Sequence, residues 1–388
     1  MIRTAAVVGA GLIGTSVALA LSRRGVLVHL LDTDRDAVRT AVALGGGVDC
    51  PPDQPVDIAV IAVPPSAVGR VLADHQARGL AYAYTDVASV KHEPEQAVLL
   101  AAPDPSLFVG GHPMAGGERS GPLAACANLF EGRTWVLTTC EHTSRETLNR
   151  ALAMVAMCGA VPVVMESDAH DRAVALVSHA PHVVAALMAA RLENAPEEAS
   201  RLAGQGVRDM TRIAGGDPGL WGDILESNAT AVADVLAELA DDLAATVRAL
   251  RGLAEVDAAK RAEEMTRVID LLGRGNAGRA RLPGKPGAAG GALVPVVIGD
   301  RPGELARLFA AVQESGVNIE DVSIDHSSGR PSGLVELVVA TDAAGLLADR
   351  LLAANWTVQR IRPVYASARN AGAADRDRGS ADRVSVPS

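Results

Sequence analysis

Thr4-Ala5-Ala6-Val7-Val8-Gly9-Ala10-Gly11-Leu12-Ile13-Gly14 decides how the first half of this chain is read. An uncharged, largely apolar run predicts a strand, the glycines a turn, and from Thr15 to Arg24 apolar residues recur at helical spacing. A second apolar run, Val26 to Leu31, ends at Asp32, eighteen residues beyond Gly14. A GxGxxG alone is common; strand before, helix after and acid at the end of the next strand turn it into a dinucleotide-binding fingerprint. Gly9 makes the tight turn, Gly11 lets the backbone approach a pyrophosphate, and Gly14 lets helix pack on strand, with Leu12 and Ile13 completing the cofactor turn. Asp32 would accept hydrogen bonds from the adenosine ribose and repel a 2′-phosphate, which favours NAD over NADP.

The α/β alternation continues outward. Strands are expected at Asp57 to Val63, Ala81 to Val87, Leu107 to Gly110, Trp135 to Thr138 and Val161 to Met165, with helices at Val90 to Ala102 and Ser144 to Cys158. This predicts an α/β, Rossmann-type doubly wound parallel sheet over residues 1–167. Its ligands belong beyond the carboxyl ends of the strands, where Val63-Pro64-Pro65, Asp86 to Ser89 and His112-Pro113 fall; Val63 and Pro64 join the cofactor candidates.

Residues 168–273 read as an all-helical domain, with a helix at Ala173 to Arg191. Leu236, Leu239, Leu243, Val247, Leu250 and Leu253 form an apolar stripe suited to packing on other helices, in the same chain or in a homodimer. The aperiodic Gly-, Arg- and Pro-rich stretch 274–292 reads as a linker. Residues 293–365 then predict β-α-β-β-α-β, the ferredoxin-like α+β order, and 366–388 a disordered polar tail.

The 388 residues allow two to three domains, and 48% hydrophobic content supports buried cores. Nine aromatics and a net charge of −10 argue against a base-stacking, phosphate-binding surface, so no nucleic-acid partner is expected. Cys50, Cys126, Cys140 and Cys158 lack CxxC spacing, the start carries no signal-peptide pattern, and no uninterrupted apolar run reaches membrane length. A cytoplasmic protein without a membrane partner is expected.

Four groups of residues carry candidate chemistry. His112 lies in Gly110-Gly111-His112-Pro113-Met114-Ala115-Gly116-Gly117-Glu118-Arg119-Ser120-Gly121, where a neutral imidazole at the cofactor crevice can take a hydroxyl proton as hydride leaves the same carbon. Ser89 ends Asp86-Val87-Ala88-Ser89 and reads either as the N-cap of the next helix or as a hydroxyl in the crevice; Asp86 and Lys91 read as a possible surface pair without a role. Asp168-Ala169-His170-Asp171 and Ser178-His179-Ala180-Pro181-His182 have a superficially metal-like spacing, but no HExxH or sulfur set supports it and no metal is expected. Arg208 and Arg212, one helical turn apart, offer guanidinium forks, one for a substrate carboxylate and one for structure.

Taken in order, the fingerprint, Asp86 to Lys91, His112 to Gly121, Ser178 to His182 and Arg208 to Ala214 resemble prephenate dehydrogenases from residue 1 to about 272. The resemblance implies NAD-dependent oxidative decarboxylation of prephenate to 4-hydroxyphenylpyruvate. It casts His112 as the base, Ser89 as the group holding hydroxyl and imidazole in register, and Arg212, His179 and Glu118 as substrate-side residues. Glu118, Asp168 and Trp221 would form a gating network with Arg212, although Asp217 to Trp221 also reads as a helix end. Arogenate, which differs by an amino group, stays open as the alternative substrate. A non-enzymatic NAD-responsive amino-acid sensor is a remoter reading. β-Hydroxyacid dehydrogenases, which use a lysine, fit poorly because residues 168–250 contain none. The last domain resembles ACT regulatory domains, implying tyrosine as effector near Asp300, Pro302, Gly303 and Asn318.

Overall fold

The computed structural model describes residues 2–116, 119–254, 257–282, 291–325 and 332–363, and the chain divides into two compact units, Met1–Asp242 and Leu243–Ser388. The first unit begins β1 (Thr4–Val8), α1 (Leu12–Ser22), β2 (Leu27–Leu31), α2 (Arg35–Ala43), β3 (Ile58–Ile61), α3 (Val68–Ala77), β4 (Tyr84–Asp86), α4 (His92–Ala101), β5 (Phe108–Pro113), β6 (Thr134–Thr138), α5 (Arg145–Met157) and β7 (Val161–Met165). The sheet order is β2-β1-β3-β4-β5-β6-β7. Both faces are covered, which is why β1 reads as a continuous apolar run: Ala5 and Val7 join one core with Leu21, Leu30, Trp135 and Met154, and Ala6 and Val8 the other with Ile61, Leu72, Tyr84 and Phe108.

The fully parallel sheet needs correction. β1 to β5 are parallel, β6 runs antiparallel to β5, and β7 is parallel to β6. A parallel return needs a crossover; α5 supplies one between β6 and β7, whereas the described part of the β5–β6 connection holds one 3-10 turn, Pro122–Ala124, and turns over 127–132, and no α-helix. Pairing with β6 also carries β5 on to Pro113, so His112 belongs to a strand rather than to the turn after it.

From α6 onward the chain is helical: α6 (Ser167–Val174), a π-helical turn (Ala175–His179), α7 (Ala180–Ala190), α8 (Glu197–Arg201), α9 (Gln205–Arg212), α10 (Pro218–Ser227) and α11 (Ala229–Gly252). Asp217 caps the start of α10 by accepting from the Leu220 N–H at 2.8 Å, with Pro218 next, so Asp217 to Trp221 opens a helix instead of ending one. The continuous helix Ser167–Ala190 spans 24 residues with a mean hydropathy of 1.7 and by length and composition alone could cross a membrane. It buries His170, Asp171, His179 and His182 in protein contacts, while Leu176, Val177, Leu187 and Met188 on it are exposed.

In the second unit, α12 (Ala258–Arg279) runs on through Arg274, where the expected linker begins, because its isolated glycines weaken a helix without ending it. Next come β8 (Gly291–Gly299), α13 (Glu304–Ser315), β9 (Asp321–Asp325), β10 (Ser332–Ala340), α14 (Thr341–Ala353), β11 (Thr357–Val358) and β12 (Arg362–Pro363). They form a small antiparallel sheet, β11-β8-β10-β9, with β12 also on β8, over a core of Val294, Val296, Leu308, Leu337 and Leu347. The expected tail lies outside the described residues.

Candidate active site

The glycine turn is built by close approach. Gly9 has φ +109°, and a Cβ there would lie 2.1 Å from the Ala62 carbonyl oxygen; one at Gly14 would lie 2.0 Å from that of Gly9. Gly11 faces open space and caps α1 without a side-chain hydrogen bond, so the first N–H groups of α1 remain available to an anion. Leu12, Ile13 and Val63 are partly buried and Pro64 is exposed, the last two following β3 beside β1, where the strand order switches direction. Asp32 Oδ2 accepts from the Ala10 N–H at 2.6 Å, and Oδ1 from the Asp34 N–H at 2.9 Å, which ties the acid to the turn. A helix start open to an anion, with a carboxylate fixed beside it, fits a dinucleotide.

His112, partly buried near the end of β5, is held by a buried ion pair. The Asp86 carboxylate accepts from the N–H groups of Gly111 (2.8 Å) and Ala88 (3.0 Å) and pairs with Lys91 Nζ, which also donates to the Gly111 carbonyl at 2.7 Å. Both side chains are almost inaccessible, so the sequence reading of a surface pair is wrong; this pair fixes the backbone next to His112. Burial pushes the lysine pKa below its usual value against the pull of Asp86. Burial, reinforced by His170, Lys91 and His179, holds His112 well below the usual histidine value, so the imidazole is neutral at pH 7 and able to accept a proton.

Behind His112 lies a chain of groups that spacing alone did not reveal. His112 Nδ1 is 2.8 Å from His170 Nε2, and His170 Nδ1 is 2.7 Å from Asp171 Oδ1. Asp171 also accepts from the N–H groups of Lys91 (2.8 Å) and His92 (2.9 Å) at the start of α4. Burial raises its pKa, but the bonds from His170, His92 and Lys91 outweigh that and hold it low. Asn228, buried before α11, donates to the Asp171 carbonyl at 2.9 Å and to His179 Nδ1 at 3.1 Å. Burial pushes His179 down to about 4, so with Nδ1 accepting, its Nε2 carries the ring's proton and donates. A π-helical turn at His179 belongs to the kind of helix irregularity that recurs at functional sites.

Other expected residues fare differently. Ser89 is partly buried in the β4–α4 connection, but it is not a helix cap: α4 starts at His92 with Lys91 at the cap position, and Asp171 accepts the N–H groups there. Arg208 and Arg212 lie on exposed positions of α9. Asp168 pairs with His92 Nδ1 at 2.6 Å, while Trp221 stacks on His182 at 3.5 Å and meets His179 edge-on at 6.0 Å. Trp221 thus lies among histidines, whereas Asp168, on α6, pairs with His92 of α4. Glu118 lies outside the described residues. Among the described residues, no group of three or more His, Cys, Asp and Glu side chains is placed to hold a metal ion. In the second unit, Asp300 is exposed, Pro302 and Gly303 precede α13, Gly303 caps it with a φ of 90°, and the Asn318 amide donates to Glu320 at 2.8 Å.

The description "Prephenate dehydrogenase, nucleotide-binding domain" matches residues 17–164, and "Prephenate dehydrogenase, dimerization domain" matches 166–270. The chain is 41% identical to the probable prephenate dehydrogenase NovF of Streptomyces niveus, over 91% of this chain and 99% of that protein. The chain belongs to the prephenate dehydrogenase family. Another member, the prephenate dehydrogenase of Bacillus subtilis, is 27% identical over 86% of this chain and 91% of its own length. The A. aeolicus prephenate dehydrogenase in complex with hydroxyphenyl propionate and NAD+ has a TM-score of 0.64 at 26% identity, covering 73% of this chain and 99% of that one. Synechocystis arogenate dehydrogenase has a TM-score of 0.58 at 27% identity, covering 72% and 100%. Since the first match starts at residue 17, the glycine turn of this prephenate dehydrogenase family member rests on its own geometry.

Proposed function

We propose that this chain catalyses the NAD-dependent oxidative decarboxylation of prephenate to 4-hydroxyphenylpyruvate and carbon dioxide. The carrying observation is His112, an imidazole kept uncharged at the carboxyl edge of the parallel strands, the edge from which the Gly9 turn also departs. NAD, when bound, supplies the hydride acceptor. Gly9, Gly11, Leu12, Ile13 and Gly14 shape the turn beneath its phosphates, Asp32 takes the ribose, and Val63 and Pro64 border it. His112 accepts the ring hydroxyl proton as hydride leaves the same carbon, Ser89 steadies that hydroxyl, and neutral His179 donates to the substrate. Arg212 binds a substrate carboxylate, and Glu118 lies on the substrate side. Loss of the ring carboxylate as carbon dioxide makes the ring aromatic and returns the proton to its oxygen, so no proton is consumed overall.

Purified protein with NAD and prephenate forms NADH, and turnover with arogenate alone would transfer the same chemistry to the amino-acid substrate. The likeness to an arogenate dehydrogenase makes that comparison necessary. Absence of turnover with both returns the chain to a sensor.

A homodimer is supported by the dimerization-domain match and by the exposure of Leu239, Leu243 and Leu250 along α11. Four free cysteines agree with a cytoplasmic setting. The β-α-β-β-α-β order supports an ACT-like regulatory domain with tyrosine as effector near Asp300, Pro302, Gly303 and Asn318. Glu304 in the first turn of α13 opposes a carboxylate there, so the effector reading predicts binding through its amino group and ring. A tyrosine titration that changes neither rate nor heat removes this part.

A further inference from the structure

We propose that His170 and Asp171 are positioning residues that hold His112 in the tautomer with a bare Nε2, the form able to take the substrate's proton. This rests on the oxidative decarboxylation reading above. Two ring nitrogens facing each other at 2.8 Å share one proton, and the far end of the chain decides which ring supplies it. Asp171, ionised, can only accept, and its oxygens already take the Lys91 and His92 N–H groups. His170 Nδ1 must therefore be the donor in the 2.7 Å contact with Asp171. A neutral His170 then has only a lone pair at Nε2, so it accepts from His112 Nδ1–H and leaves His112 Nε2 unprotonated. His170 is 1% exposed, which keeps solvent from supplying a competing donor.

The surrounding charges favour this arrangement. Lys91, at the α4 cap and paired with Asp86 of β4, and His179, from the π-helical turn, both disfavour a positive charge on His112. Asp171 on α6 is the anion facing the ring of His170. During turnover the substrate O–H bond breaks and an N–H bond forms at His112 Nε2. The O–H electron pair becomes the second bond of the carbonyl as hydride leaves, and the ring oxygen recovers the proton after decarboxylation. The relay thus needs only to orient His112 and support its transient charge.

The test uses the full chain with NAD and prephenate and two variants. His170→Phe fills the ring's space without an acceptor, whereas His170→Gln keeps an oxygen able to accept from His112 Nδ1. His170→Phe is expected to lower kcat about 100-fold, within the range of general base catalysis, with KM for prephenate and NAD affinity within about twofold of wild type on the same grounds, and to move the acid limb of the pH profile. His170→Gln is expected to recover most of the rate. In the protein without substrate, nitrogen-15 NMR of the histidines, assigned with His112→Asn, should show His112 protonated at Nδ1 in wild type and at Nε2 in His170→Phe. A wild-type spectrum with His112 protonated at Nε2 overturns the proposal, as does a His170→Phe rate and pH profile equal to wild type. Should His170→Phe fail to fold, the wild-type spectrum and His170→Gln decide. Should wild type turn over neither substrate, the functional reading fails while the spectrum still decides the tautomer.

Discussion

The glycine turn after β1 and the histidine chain behind β5 serve one sheet edge but are built in opposite ways. The turn is backbone: consecutive residues Gly9 to Gly14, with Asp32 tied back to the Ala10 N–H at 2.6 Å. The histidine chain is side chain: His112 from β5, His170 and Asp171 from α6, N–H groups from the start of α4, and Asn228 from just before α11. The first is local and needs a helix to start in the right place. The second exists only after α6 has packed beside the sheet.

Breaking the two regions separately should give different signatures. The largest effect is expected from His112→Asn, which should lower kcat by about 10²- to 10⁴-fold while leaving NAD affinity intact; retained turnover with prephenate would remove the base assignment. Next, Lys91→Met leaves Asp86 buried without its cation and should cost about 3–5 kcal/mol in urea unfolding, because one charge of a buried pair is then uncompensated. A loss under 1 kcal/mol, roughly that of an exposed pair, would show that the site relaxes. Gly14→Ala forces a Cβ against the Gly9 carbonyl and should cost about 1–3 kcal/mol by overpacking, with weakened NAD binding as the signature of the turn. Unchanged NAD affinity would mean that the turn yields.

The smallest expected effect at neutral pH is that of His179, which shows itself only as a pH dependence in acid. His179 has a folded pKa lowered by burial to about 4, below the 6.5 of the unfolded chain. Between those values the unfolded state binds more protons, so this stability contribution is complete above about 6.5 and is lost as the pH falls towards 4. His179→Gln should flatten that part of the curve of unfolding free energy against pH. A curve identical to wild type would show that burial does not lower the His179 pKa in the fold.

Legibility followed the same division. β7 occupies the expected Val161–Met165 and α5, Arg145–Met157, fills the expected Ser144–Cys158 between its caps, because periodicity and caps report local conformation. The β5–β6 reversal escaped notice because strand direction depends on the path between strands, and apolar runs look alike in either direction. Lys91 was misread because its burial comes from the structure closing over it. The motif around His170 was quoted for its metal-like spacing. Nothing in the 58-residue separation ties it to His112, although adjacent His and Asp on an inward-facing helix were a usable hint.

From the amino-acid order came the dinucleotide turn, the α/β class, the family resemblance and His112 as the candidate base, since each depends on residues close in the chain or on ordered motifs. The lowered pKa values of His112 and His179 and the pinning of the His112 strand by Asp86 and Lys91 came from packing. Water is excluded and hydrogen-bond partners are assigned only when distant elements meet, and both settle where a proton resides.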